Sequence, residues 1–183
     1  MASFHEIVRQ HTDLDDAQVI HLTKLIRVWN ILADLSFADL ILAVPVKGDV
    51  TQRRFIVASN VRPSTGTTLY QSDLTGVVLH RDDRPLLEKA WTKSEIVEGP
   101  STTIGRGQEI RVEVIPVVYK GTPIGVLRRE YSQNYVRVNS SLERAYIKAF
   151  ERIDHMVSDG TFPYSTEMVE PDDAPRIGDG VLV

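Results

Sequence analysis

A chain of 183 residues, 42% apolar and 25% charged, holds enough apolar material for one domain with a tail or at most two small ones. Its formal charge of -4 is concentrated at one end, since Thr166–Val183 carries five acids against one base; the balanced remainder has no basic surplus for nucleic acid or an anionic membrane. The absence of cysteine excludes disulfides, thiol nucleophiles, thiolate zinc sites and thioether attachment, and with no signal peptide and no apolar run near the roughly 20 residues of a membrane helix the chain reads as cytoplasmic.

A short helix is expected around Ser3 to Gln10. The segment "DLDDAQVIHLTKLIRVWNILADLS" follows as the strongest helical signal. Leu22, Leu25, Ile26, Trp29, Leu32 and Ala33 recur at helical spacing, with Thr12 or Asp13 as cap and Asp15 and Asp16 in the first turn. Two strands come next, Asp39–Val46 and Arg53–Ser59, joined by the turn-rich "KGDVTQ". The stretch from Asn60 to Arg106 is irregular apart from a short helix at "RPLLEKAW", where Pro85 suits the first turn. A hairpin is then clear: "EIRVEVIPVVY", a Lys120-Gly121 turn, and "PIGVLRREY". Ile110, Val112 and Val114 alternate with Arg111 and Glu113, so one face is buried, and Pro116 belongs at a bulge or a sheet edge.

The last helix, "NSSLERAYIKAFERIDHMVSDG", places Leu142, Ala145, Tyr146, Ala149, Phe150, Ile153, Met156 and Val157 on one stripe. Ser140 or Ser141 caps it and Gly160 ends it. The acidic, proline-bearing segment beyond has no period and reads as a linker. Helix, strands, mixed middle, hairpin and helix make an α+β fold: an antiparallel sheet with the N- and C-terminal helices packed on one face. Ile20, Val28 and Ile31 lie off the main stripe of the first long helix. That surplus fits a homodimer in which terminal helices bundle across a two-fold axis, or simply covers the flank of the sheet.

Several short motifs carry no chemistry. "HRDDRPLL" has the outline of a kinase catalytic loop, but Leu87 stands where that loop needs a metal-binding Asn. "GRGQEI" begins like a dinucleotide fingerprint but has Ile110 at the third glycine and precedes a strand. The five histidines match no metal-site spacing, and no G-x-S-x-G occurs. No metal and no catalytic residue is expected.

The hairpin pattern Val114-Ile115-Pro116-Val117, Lys120-Gly121, Ile124-Gly125-Val126-Leu127 resembles the final hairpin of GAF domains. "LADLSFADLILAV", "RPSTGTT", "DGTFP" and "PRIGDGVLV" are similar to the N-terminal sensor region of cytosolic actinobacterial histidine kinases. That family joins a GAF domain to a PAS domain and a kinase core, and signals to a response regulator with an antiterminator output. The resemblance implies a GAF-like sensor domain at 1–160, an acidic linker at 161–176 and the start of a truncated PAS domain at 177–183. ATP, magnesium and the phosphoaccepting histidine would belong to the kinase core beyond Val183, with no cofactor in this chain.

A GAF-like fold generally builds its pocket from the middle segment. The candidate ligand-binding residues there are Arg62, Thr65, Thr67, Ser72, Asp73, Arg81 and Arg84, with Ser64 and Thr75 beside them. Arginines fork onto phosphate or carboxylate, and hydroxyls complete such a cradle. Ser, Thr, Asp and Gly are also what turns use, so a purely structural loop is the competing reading. For the whole chain the alternatives are the signal-input domain of a two-component sensor kinase and a free-standing GAF-like binding or scaffold protein.

Overall fold

The computed structural model describes residues 3–48, 53–64, 68–70, 72–79, 84–100, 110–132 and 140–163. In chain order these form α1 (Phe4–His11), α2 (Asp16–Arg27), α3 (Trp29–Ser36), β1 (Asp39–Pro45), β2 (Phe55–Val61), α4 (Arg84–Lys93), β3 (Val97–Pro100), β4 (Ile110–Tyr119), β5 (Thr122–Ser132) and α5 (Ser141–Asp159). The strands make one antiparallel sheet in the order β2-β1-β5-β4-β3. Of the linker expected at 161–176 only residues 161–163 are described, and the rest of it, with the PAS start at 177–183, lies outside the described residues. Within the linker's first residues, Phe162 packs against the core.

α1, α2 and α5 begin with the same device. Ser3, Asp15 and Ser140 each accept from the backbone N–H three residues on, and Glu6, Gln18 and Glu143 reach back to the cap's own N–H. The cap of α2 is therefore Asp15, not Thr12 or Asp13. Only Asp15 has a Gln three residues later to complete the box. The Thr12 hydroxyl instead donates to Val8 O at 2.7 Å and closes α1. The long helix read from the sequence is two, divided at Val28 (φ -102°, ψ 5°). The apolar spacing runs on unbroken across the division, so nothing in it betrays the joint.

Leu22, Leu25, Trp29, Leu32, Phe150 and Val157 pack onto Leu40, Leu42, Val44, Ile56, Ile115, Val117 and Leu127, so α2, α3 and α5 share one face of the sheet with α1. Each fully buried Leu or Phe is worth about 1.5–3 kcal/mol. The opposite face takes α4, whose Leu87 and Ala90 meet Ala43, Phe55, Val97, Val112, Val114 and Val126. β1 is sandwiched from both sides, which is why "DLILAV" reads as a continuous apolar run.

The hairpin closes through Lys120 (φ 49°) and Gly121 (φ 77°), two left-handed residues matching the strand twist. Pro116 lies where β4 is locally an edge, since the β3 ladder ends at Val114, and it pairs regularly with Val126, the β4–β5 register shifting only between Val117 and Val118. β3 is a strand the sequence does not announce. The α5 stripe needs a correction: Phe150 and Val157 are buried, while Leu142 and Tyr146 are 58% and 40% exposed. Tyr146 stacks on Phe37, which ends α3 in a left-handed conformation. Val28, expected off the stripe, packs against the core. No helix among the described residues is long and apolar enough to cross a membrane.

Candidate functional site

Side chains on β5 alternate between the two layers. Leu127 joins the core under α5, Val126 the core under α4, and by the period of two Arg128, Glu130 and Ser132 follow Val126. Arg128 and Glu130 are 3% and 0% exposed and form an ion pair. Asp39, opposite Glu130 across the β1–β5 ladder, is equally buried. This face therefore holds two buried carboxylates and one guanidinium.

Isolated charges of that kind are costly, and donors are supplied to both acids. The Thr68 hydroxyl donates to Asp39 Oδ1 at 2.8 Å, and the Leu69 amide donates to Oδ2 at 2.6 Å. The Tyr70 hydroxyl donates to Glu130 Oε2. Tyr70 N–H returns to the Thr68 hydroxyl at 3.1 Å, so Thr68–Tyr70 is held as a small turn over the two acids. Burial pushes the Asp39 carboxyl up; its hydrogen bonds to Leu69 and Thr68 and the charge of Arg62 oppose that.

The candidate ligand residues fall unevenly around this cluster. Arg62 is exposed just past β2, close enough for its charge to act on both Asp39 and Asp73. Ser72 is exposed. Asp73 is engaged in its own turn: it accepts from Thr75 N at 2.9 Å and Thr75 Oγ1 at 2.7 Å, and these bonds hold its carboxyl below the usual range. Ser64 ties the segment to α3, donating from N and Oγ to Asp34 Oδ1 at 2.6 and 2.9 Å. Thr65, Thr67 and Arg81 lie outside the described residues, and so does the side chain of Arg84, which opens α4. Asp39, Thr68, Tyr70, Arg128 and Glu130, which make the hydrogen bonds and the ion pair described for this face, are absent from the sequence-derived set.

A second polar cluster lies under α5. Arg129 donates to Glu113 Oε2 at 3.1 Å and to Ser36 O at 3.2 Å, and its guanidinium stacks against Tyr131 and Phe150. It links α3, β4 and α5 through one buried side chain. Asp154 of α5 is 3% exposed. Burial, reinforced by the charge of Glu113, pushes its carboxyl up to about 7. Its Oδ1 has no hydrogen-bond partner among the described residues. Both clusters consist of donors and acceptors suited to binding and to holding elements in register.

Comparison with known proteins agrees with this architecture. The family described as "Histidine kinase PdtaS, GAF domain" matches residues 4–150. Sensor histidine kinase PdtaS of Mycolicibacterium smegmatis is 31% identical over 186 residues, covering 100% of this chain and 36% of that protein. The protein of that name from Mycobacterium tuberculosis gives the same 31% identity over 188 residues. The chain thus spans about a third of the length of these curated relatives. A solved structure, "Sensor region of a sensor histidine kinase", superposes with a TM-score of 0.74 at 28% identity, covering 98% of this chain and 60% of that one. The five-stranded antiparallel sheet with its helical layers is GAF-like, and the chain belongs to the family of GAF domains of the histidine kinase PdtaS.

Proposed function

We propose that this chain is the signal-input part of a cytoplasmic two-component sensor histidine kinase whose ATP- and magnesium-dependent core lies outside it. The observation that carries the reading is the family match over residues 4–150, joined to whole-chain similarity with sensor kinases. On this reading residues 161–176 are a linker, 177–183 open a PAS domain, and a response regulator receives the phosphoryl group. α5 is the output element, because it is the last described helix and is packed on both α3 and β4. A small molecule reaching the face around Asp39, with Arg62 and Asp73 at its rim, would bias α5 only as far as it binds two states of the domain unequally.

The domain also dimerises on this reading, through its terminal helices. Four of the six large apolar residues left exposed among the described residues, Ile20, Ile31, Leu142 and Tyr146, lie on α2, α3 and α5. Sensor kinases that phosphorylate in trans need such a two-fold contact.

The test uses the full-length protein and labelled ATP. An acid-labile, base-stable phosphoryl group is expected, and Ala149→Pro, which breaks α5 in mid-helix, is expected to uncouple its level from any input. Absence of the phosphoryl group ends the kinase reading. Unchanged regulation in Ala149→Pro ends the role of α5.

A further inference from the structure

Thr68–Tyr70 belongs to no helix or strand, yet it supplies hydrogen bonds to both buried acids of the α4 face. Three donors come from three successive residues: a hydroxyl, a backbone amide and a phenol. The acceptors Asp39 and Glu130 are 2% and 0% exposed, and the one guanidinium between them, Arg128, is committed to Glu130. Among the described residues two acids therefore share one buried guanidinium, with Arg62 acting on Asp39 from outside that layer. Ser132, on the same side of β5 two residues past Glu130, is 6% exposed, and its Oγ has no hydrogen-bond partner among the described residues. A polar group is thus buried beside the cluster without being used by Thr68–Tyr70.

We propose that Thr68–Tyr70 is a built-in occupant of a ligand site on the α4 face, and that the ligand displacing it meets Asp39 and Glu130 with a planar edge of hydrogen-bond donors, such as an amidinium or an amino-substituted ring. The chemistry follows from what has to be replaced. Buried carboxylates stripped of donors are strongly penalised, so Thr68–Tyr70 leaves only if the incomer brings donors of its own. A phosphate or carboxylate in that position adds a further negative charge and restores no hydrogen bond. The Tyr70 ring sets the shape of the edge, and Ser132 offers the incomer a hydroxyl that the resident segment leaves idle. Arg62, outside this buried layer, remains available to an anionic group elsewhere on the same molecule. The inference rests on the input-domain reading for its purpose, though not for its measurement.

The experiment compares two probes of one shape and opposite edge, benzamidine and benzoate, by thermal shift and titration on the full-length protein. Tyr70→Gly vacates the ring space, so benzamidine should bind it about tenfold or more tighter than wild type, where the resident segment taxes the site. Benzoate should shift neither protein. Benzoate binding as well as benzamidine, or Tyr70→Gly binding benzamidine no better than wild type, overturns the proposal. Should Tyr70→Gly not fold, Tyr70→Phe keeps the ring and loses only the donor. Hydrogen exchange at the Leu69 amide should then quicken about tenfold while β1 and β5 amides hold; unchanged exchange at Leu69 overturns the proposal equally. These readouts are binding and exchange, so their failure is distinct from failure to phosphorylate.

Discussion

Asp154 is the residue whose chemistry is most exposed to a direct test. It sits on the buried side of α5, faced by Glu113 from β4 and Arg129 from β5, with His155 next to it in the helix. An unfolded aspartate titrates near ~3.9, whereas here burial holds the carboxyl at about 7. Between those values the folded protein keeps a proton that the unfolded chain has lost. Stability must therefore fall as pH rises through that window and level off above it. Asp154→Asn removes the slope. The variant should gain on wild type by roughly 2–4 kcal/mol between pH 4.5 and pH 8 in urea melts. His21, whose burial and whose neighbour Lys24 hold its imidazole below the ordinary value, tilts the wild-type curve the opposite way, and the difference between variants cancels it. A gap independent of pH would mean that Asp154 is not a buried, protonated acid. The sequence hides such residues. Asp154 follows Glu151 and Arg152 and precedes His155 in a stretch rich in charge, and "LRREYS" puts a charge on both parities of one strand, so neither face looks buried. The candidate list drawn from turn-type residues found Asp73, which is spent on Thr75, and missed Asp39 and Glu130.

Among the elements, α5 shows how much an end depends on its surroundings. Gly160 caps it at φ 75°, and Gly121 turns the hairpin at φ 77°. The two glycines share a conformation that side chains resist, but not an environment. A Cβ at Gly121 would meet nothing within 4 Å, whereas one at Gly160 would stand 3.1 Å from the Val118 carbonyl oxygen. Gly121→Ala should thus cost about 1 kcal/mol of left-handed strain, and Gly160→Ala about 2–3 kcal/mol because backbone has to move as well. Equal losses in denaturant melts would show that the approach to Val118 is soft. Both glycines are legible in the sequence as a turn and a cap. What makes one dearer than the other is β4, a partner more than 40 residues away in the chain. The same distance explains the other misses. β3 is four residues containing Gly and Pro and exists because β4 offers it an edge, and the joint at Val28 leaves the apolar spacing intact.

For the molecule as a whole, the helical layer on one face of the sheet was legible from periodicity, because helical stripes before and after a set of strands leave few arrangements open, whereas the second core under α4 was not. What periodicity could not separate is the side of a helix that meets this sheet from the side that meets something else. Leu142 and Tyr146 continue the stripe of Phe150 and Val157 yet stay in solvent, alongside Ile20 and Ile31. One exposed apolar residue needs no explanation, and four on three neighbouring helices are what the proposed dimer contact would use. If that contact is a second copy, charging it should split the dimer without harming the fold. Ile31→Asp combined with Tyr146→Asp is expected to move the sedimentation coefficient of the full-length protein from dimer to monomer, or to weaken association at least about a hundredfold, since each charge would be buried unpaired in the interface. The thermal midpoint measured at low concentration, where the dimer has already dissociated, should stay within a few degrees of wild type, because neither residue supports the core. Retained association at micromolar concentration would place the two-fold contact on other helices or in another domain. A fall in the midpoint together with loss of the dimer would mean that the α3–α5 surface belongs to the fold itself, with Tyr146 fixing Phe37 at the end of α3.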